Sequence, residues 1–381
     1  MQKKVKLIAN YLPQFHVIPE NSRWWGDGYT DWVGVRQAEP QYPGQHQPRV
    51  PLHENYYSLD DPAVLQWQAD LARQYGVYGF GMYHYWFSSE LQLLQKPAEL
   101  LLAHPEIDIH FMFIWDNTSW TRTWVQKGAA NDWAPKFDEQ PVSPQESGML
   151  AELRYGTEVD WRKHFDYLLP FFRDERYIKL DGKPMFAFFQ PNNDFPLQQR
   201  LAAYWEQLAI EAGLPGLICL SKDNAHNRRF TYQMRYSPFS PNNFWGGVKN
   251  KLSHLWTKRR QKIRFADYDA QWRSILSDAR HADARTFLSG FVSFDDTPRR
   301  GGERESFAVT PRRSLSVICA SFSRYRASRG RSTLSSPLGT SGARGHIWSR
   351  TSGTAMHGSR PCGRPWRRRT RTRSPLRGQM L

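Results

Sequence analysis

Four short stretches gather aromatic rings beside carboxylate, amide, imidazole and guanidinium groups. The first, YLPQFHVIPENSRWWGDGYTDW, holds Tyr11, Gln14, His16, Trp24, Trp25, Asp31 and Trp32. The second is Tyr83-His84-Tyr85-Trp86-Phe87. The third runs from Trp115 through Asp116, Asn117 and Trp120 to Arg122 and Trp124, and the fourth is Asp295-Asp296-Thr297-Pro298-Arg299-Arg300. A sugar offers apolar C–H faces bounded by hydroxyl edges, so its site needs ring platforms next to hydrogen-bonding groups. These clusters supply that mixture. Chemistry at a glycosidic bond also needs carboxyl groups, one to protonate the leaving oxygen and one to act as nucleophile or to stabilise the cationic transition state. Asp31 and Asp116 are the candidate carboxylates and His84 the candidate imidazole, although no catalytic set is complete. Candidate substrate contacts are Tyr11, His16, Trp24, Trp25, Tyr83, Trp115, Asn117, Trp120, Arg122 and Asp295. Each has a structural alternative: the aromatics as core or rim of a large barrel, His84 as a satisfied core histidine, and the two aspartates as helix caps.

The elements that must position these groups follow from the apolar runs. Strands are predicted at Val5–Leu12, Val77–Tyr85, His110–Trp115, Met185–Phe189, Leu217–Leu220, Thr231–Tyr236 and Phe287–Phe294, each run nearly continuously apolar, as in a parallel sheet buried on both faces. Helices are predicted between them at Pro62–Tyr75, with Asp60 or Asp61 as cap and Gly76 as stop, at Trp161–Phe172 and at Leu197–Ala212. The clusters then fall at the C-terminal strand ends, where α/β barrels carry their working residues. The fold class is α/β, a (β/α)8 TIM-like barrel that stops after seven βα units.

Charge locates the rest. The net +16 lies entirely in residues 312–381, which hold 16 Arg and no Lys, Asp or Glu, so residues 1–311 are neutral. The three cysteines lack metal-ligand spacing and imply neither a zinc site nor a disulfide framework. The N-terminal apolar run is broken by Asn10 and Pro13, which argues against a signal peptide, and no run of about 18 apolar residues exists. These features predict a cytoplasmic protein. The acid-free stretch Lys249–Arg264 (KNKLSHLWTKRRQKIR) places Leu252, Leu255, Trp256 and Ile263 on one side of a helix. It is either a peripheral contact with the anionic inner membrane or a solvated insertion.

The segments YLPQFHVIPEN, WWGDGYTDW, QYPGQHQPRVP, YGVYGFGMYHYWF, RYIKLDGKPMF and DDTPRRG resemble the WbsX-type family of polysaccharide-biosynthesis glycosyltransferases over residues 5–311. That family is related in fold to endo-α-mannosidase-type glycoside hydrolases, which are (β/α)8 barrels. The resemblance implies a role in O-antigen, lipopolysaccharide or other surface polysaccharide biosynthesis. It also implies a carbohydrate, sugar-nucleotide or lipid-linked sugar substrate, and neither metal nor cofactor. One departure stands out: the family's Trp-Ala-Asn-Glu-Asn-Trp is here Trp115-Asp116-Asn117-Thr118-Ser119-Trp120, so the family's Glu is absent.

The family continues into an eighth strand ending in Asn-Glu-Trp-x-Glu-Gly, whose two Glu are the catalytic pair in the related mannosidases. No such motif is written in this chain. Residues 340–358, TSGARGHIWSRTSGTAMHG, are nevertheless compatible in the codon table with NEWGEGAHLEPDQRYGYAW when read one base earlier. Under the same shift, residues 332–339 can give the apolar strand NLIFAFG. The expectation is a carbohydrate-active domain at 1–311 and a frameshifted, disordered tail at 312–381, with the enzyme inactive as written. Alternatives are a non-catalytic carbohydrate-binding remnant and a basic tail that binds nucleic acid; no nucleic-acid partner is expected.

Overall fold

The computed structural model describes residues 5–122, 131–132, 148–191, 194–222, 230–238, 263–265, 267–300, 306–309 and 333–336. In chain order its main elements begin with β1 (Lys6–Tyr11), α1 (Pro19–Trp25), α2 (Asp31–Arg36) and α3 (Pro62–Gln74). Next come β2 (Val77–Ser88), α4 (Lys96–Ala103), β3 (His110–Trp115) and α5 (Glu158–Arg173). They are followed by β4 (Lys183–Phe188), α6 (Phe195–Glu211), β5 (Ile218–Lys222) and β6 (Tyr232–Met234). The last are α7 (Tyr268–His281), β7 (Thr286–Phe287) and β8 (Thr333–Ser336). The strands run parallel in the order β7-β6-β5-β4-β3-β2-β1-β8.

Seven successive strands therefore curl as expected. The backbone of β8 lies in the eighth place, beside β1 with Lys6 opposite Thr333, and it comes within 8 Å of β7 between Cα atoms. Its residues belong to the segment that the one-base shift reads as the last strand. Two predicted elements differ. The run Phe287–Phe294 is a two-residue strand that ends at Phe287, and Phe294–Asp295 pairs in a separate three-stranded sheet. Gly290 and Ser293 interrupt the apolar pattern there, and Leu288 and Phe291 instead close a small core under Trp272 and Tyr268 of α7. Of the basic stretch, Ile263 and Arg264 lie in a strand, Ile263–Phe265, rather than on a helix; its other residues fall outside the described ones, as does the whole of 337–381.

Local chemistry fixes the helices. Asp61 Oδ1 accepts from the Ala63 amide at 2.8 Å and Pro62 opens α3, whose Leu65, Gln68, Ala69 and Ala72 face inward at helical spacing. A capping box between Thr157 and Asp160 starts α5, which buries Trp161, His164, Phe165, Leu168, Phe171 and Phe172. Close approach also constrains the sheet: a Cβ on Gly79 would sit 2.5 Å from the His110 carbonyl oxygen, so only glycine lets β2 lie this near β3.

Candidate functional site

Side chains alternate across each strand, and the contacts say which set faces the helices and which the lumen. Tyr11 donates its hydroxyl to Gln68 Oε1 of α3 at 2.6 Å. His84 Nε2 lies 2.8 Å from His164 Nε2 of α5, and the Trp115 indole N–H donates to the Trp86 carbonyl at 2.9 Å while its ring meets His164 edge-on. Tyr11, His84 and Trp115 are thus in the barrel–helix layer. Burial holds His84 neutral, its pKa pushed down to about 3, and lowers His164 as well. One imidazole donates to the other, a closed pair with no proton to offer a substrate near neutral pH.

The intervening residues face inward. Asn10 pairs with Gly81 across β1 and β2, and a Cβ on Gly81 would stand 3.4 Å from Asn10 Oδ1 and 2.8 Å from the Ile114 side chain. Gln14 Nε2 donates to the Tyr85 hydroxyl at 2.9 Å. The ladder puts Trp115 opposite both His84 and Phe188, and Phe188 opposite Ser221. It continues one residue further through the Asp116 amide to the His84 carbonyl and the Phe189 amide to the Trp115 carbonyl. Tyr85, Asp116, Phe189 and Lys222 therefore form one layer at the C-terminal strand ends. Below and beside it, Tyr83 meets Phe189 at 5.3 Å between ring centroids and its hydroxyl lies 3.4 Å from that of Tyr236.

Polar atoms in this region await partners. Asn10 Oδ1, Gln14 Oε1 and both ring nitrogens of His16 are buried with no hydrogen-bond partner among the described residues. Leaving such atoms unsatisfied costs about 1–3 kcal/mol each, which a ligand's hydroxyl groups would remove. Burial pushes the His16 pKa down to about 4, against an opposing contribution from Asp60, so its ring is neutral. Asp116 Oδ1 accepts from the Thr118 hydroxyl at 2.8 Å.

The remaining candidates fall into two groups. Trp24, Trp25 and Trp120 are brought together, with Trp24 5.3 Å from Trp25 and 6.2 Å from Trp120 between ring centroids, and Arg122 donates to the Trp24 carbonyl at 3.1 Å. Trp120 in turn packs edge-on against Tyr85 at 5.0 Å, which joins this wall to the lumen layer. Asp31 opens α2, its amide 3.5 Å from the Gln14 carbonyl. Asn117 and Asp295 are tied into the frame. Asn117 bonds Gln190 through both ends of its amide and also donates to the Tyr155 hydroxyl. Asp295 accepts from Gln45 and Gln47 at 3.0 Å each and from the Thr297 amide and hydroxyl, with Arg49 at 3.9 Å.

Sequence reasoning left out Asn10, Phe189, Lys222 and Tyr236 and assigned Gln14 no role. Strict alternation counted from the lumen-facing Gly79 and Gly81 would have picked Tyr83 and Tyr85 and passed over His84. Among the described residues there is no group of three or more His, Cys, Asp or Glu that could hold a metal, and no helix long and apolar enough to cross a membrane. A separate cavity of about 450 Å³ lies on the outer wall between α6, β5 and β6, where Lys183 and Glu206 already pair at 3.1 Å.

Residues 7–317 match the family described as Glycosyltransferase WbsX. The chain belongs to this WbsX glycosyltransferase family. It is 28% identical over 314 residues to the uncharacterized protein WxcX of Xanthomonas campestris pv. campestris, in each of two strains, which covers 81% of this chain and 41% of WxcX. The chain thus spans about two fifths of the length of those relatives. Among solved structures it is similar to the GH99 endo-alpha-mannosidase from Bacteroides thetaiotaomicron (13% identity, 87% of this chain and 83% of that one, TM-score 0.45). It is also similar to a glycoside hydrolase-like protein (12%, 88% and 84%, TM-score 0.45).

Proposed function

We propose that this WbsX-family chain derives from an enzyme that makes or breaks a glycosidic bond during assembly of a surface polysaccharide such as O-antigen. Its substrate sits in the lumen at the C-terminal strand ends. The observation that carries the reading is the lumen layer itself: Tyr85, packed on Trp120, and Phe189 supply its rings, while lumen-facing Asn10 and Gln14, the latter bonded to Tyr85, each keep a buried amide oxygen whose hydrogen-bonding capacity is unused among the described residues. Rings for C–H faces and open acceptors or donors for hydroxyls are the two halves of sugar recognition.

The written chain is the inactive form of that enzyme. Glycosidic chemistry needs two carboxyl groups, and the described lumen layer contributes one, Asp116. The family match stops at residue 317, just beyond Pro311, where the codon-table reading puts the frame break. Restoring the frame after Pro311 brings back Asn-Glu-Trp-Gly-Glu-Gly beyond the end of β8. Asp116 and Asp31 then serve as supporting carboxylates and the restored Glu pair does the chemistry. Sequencing the coding DNA around Pro311 tests the frame directly, because bases that forbid the shifted reading would refute it. Activity is tested by screening the written and frame-restored chains on α-mannosides and nucleotide sugars. Turnover only by the restored chain, abolished when either restored Glu becomes Gln, is the expected result, whereas equal turnover by the written chain would overturn the proposal.

That the described residues of the lumen layer include one carboxylate also favours a second reading, in which the written chain binds carbohydrate without turning it over. Sugar binding by both the written and the frame-restored chains with product from neither would favour this second reading, whereas product from the restored chain favours the first.

A further inference from the structure

Two acceptors in the lumen narrow what it can hold. Asn10 of β1 stands in register with Gly81 of β2, and Gln14 follows beyond the end of β1, with exposures of 2% and 1%. Asn10 Oδ1 and Gln14 Oε1 are buried without a hydrogen-bond partner among the described residues. Gln14 is held in one orientation, because its amide nitrogen donates to the Tyr85 hydroxyl at 2.9 Å and so turns its oxygen the other way. Asn10 has room beside it: the missing side chain of Gly81 leaves open the place where a Cβ would stand 3.4 Å from Oδ1. Gly81 and Tyr85 are four residues apart on β2, about 13 Å at the usual rise of a strand, so the two oxygens meet different ends of a ligand. An amide oxygen accepts hydrogen bonds and donates none. Each of these two is satisfied only by a group that carries a hydrogen, such as a hydroxyl, and is left bare by a ring position that has lost its hydroxyl or bears an ether. A site built around a hydroxyl rejects the analogue without it far more strongly than an apolar pocket rejects a missing methylene.

We propose that Asn10 and Gln14 are specificity-determining residues that require two free hydroxyl groups on the sugar unit in the lumen. Asn10 takes the inner hydroxyl, in the space over Gly81, and Gln14 takes the one nearer the strand ends. A glycosidic oxygen carries no hydrogen, so neither position is the one through which the unit is joined to the rest of the substrate. The substrate class is thus a saccharide whose lumen-bound unit is unmodified at two positions and linked through a third. A unit that is deoxygenated, O-alkylated or O-acylated at either position is excluded.

This inference rests on the proposed sugar site, and the test separates the two. Binding of mannose, glucose and galactose to the full chain is measured by ligand-observed NMR, together with the monodeoxy and monodeoxyfluoro derivatives of each. Fluorine fills most of the hydroxyl's place but donates no hydrogen bond, which isolates the loss of a donor from the loss of contact. In a parent sugar that binds, two positions should each weaken binding at least tenfold in both series, and the others by less. Asn10→Ala should bring the parent down to its derivative at one of those positions and Gln14→Ala at the other. Circular dichroism and Tm confirm that each variant folds, and the derivative series on the unsubstituted chain tests the requirement independently of them. Fewer than two penalised positions, or penalties that survive both substitutions, overturn the hydroxyl requirement while leaving the sugar site standing. No binding of any parent sugar overturns both.

Discussion

The two faces of β2 and β3 differ by one residue in sequence and by everything in environment. Toward α5, His84, Trp86, Phe113, Trp115 and His164 form a closed cluster, its histidines bonded to each other and its indole to a carbonyl. Toward the lumen, Gly81, Tyr83, Tyr85 and Asp116 surround polar atoms that the described frame leaves unused. The difference teaches that burial alone does not mark a site here, because both faces are buried. What separates them is whether the polar groups are already spent on each other.

That contrast predicts where substitutions hurt. The largest effect is on the helix-facing side: Trp115→Ala, which empties a fully buried position, should destabilise the fold by about 3–5 kcal/mol in chemical denaturation. A loss below about 1 kcal/mol would mean that the cluster is not the packed wall described. The same face gives a pH dependence. His84 has a folded pKa of about 3 against about 6.5 unfolded, so its contribution is complete above pH 6.5. It falls away as the pH drops from 6.5 toward 3, because the unfolded chain takes up a proton that the folded one refuses. The slope should approach about 1.4 kcal/mol per pH unit for each such histidine, and His164 shifts in the same direction. Stability that is flat from pH 7 to 4 would break the account.

Smaller effects test the boundary. Asp295→Asn weakens a buried carboxylate that ties Gln45 and Gln47 to Thr297, and should cost about 1–3 kcal/mol in thermal unfolding. Were Asp295 instead a substrate contact, its substitution would reduce sugar binding and leave stability alone. The smallest stability change belongs to the lumen: Asn10→Ala removes an oxygen with no partner among the described residues and should alter stability by less than about 1 kcal/mol. Its effect should appear as loss of sugar affinity in titration.

Most of the strand and helix positions were legible because apolar runs, caps and glycine stops are local. His110–Trp115 was predicted at its observed bounds, and Pro62–Tyr75 ends one residue from α3. The site was legible only as stretches. A parallel strand buried on both faces is apolar on both, so the period of two that would separate Tyr83 from His84 is erased. The register across β2, β3, β4 and β5, which brings Tyr85, Asp116, Phe189 and Lys222 into one layer, is a long-range property that no single segment encodes. Lys222 follows an ordinary apolar run and carries no local signal. Phe287–Phe294 was misread for a related reason: an apolar run serves a small side core under α7 as readily as a strand.

The central claim is that the lumen face serves a ligand and the helix face serves the fold. Thermal unfolding of His84→Ala and Asn10→Ala, each with and without a saturating sugar that binds the unsubstituted chain, tests it most directly. His84→Ala should lower the Tm and keep the sugar-induced rise, while Asn10→Ala should keep the Tm and lose that rise. The reverse pattern, with His84→Ala losing the response and Asn10→Ala retaining it, would contradict the account.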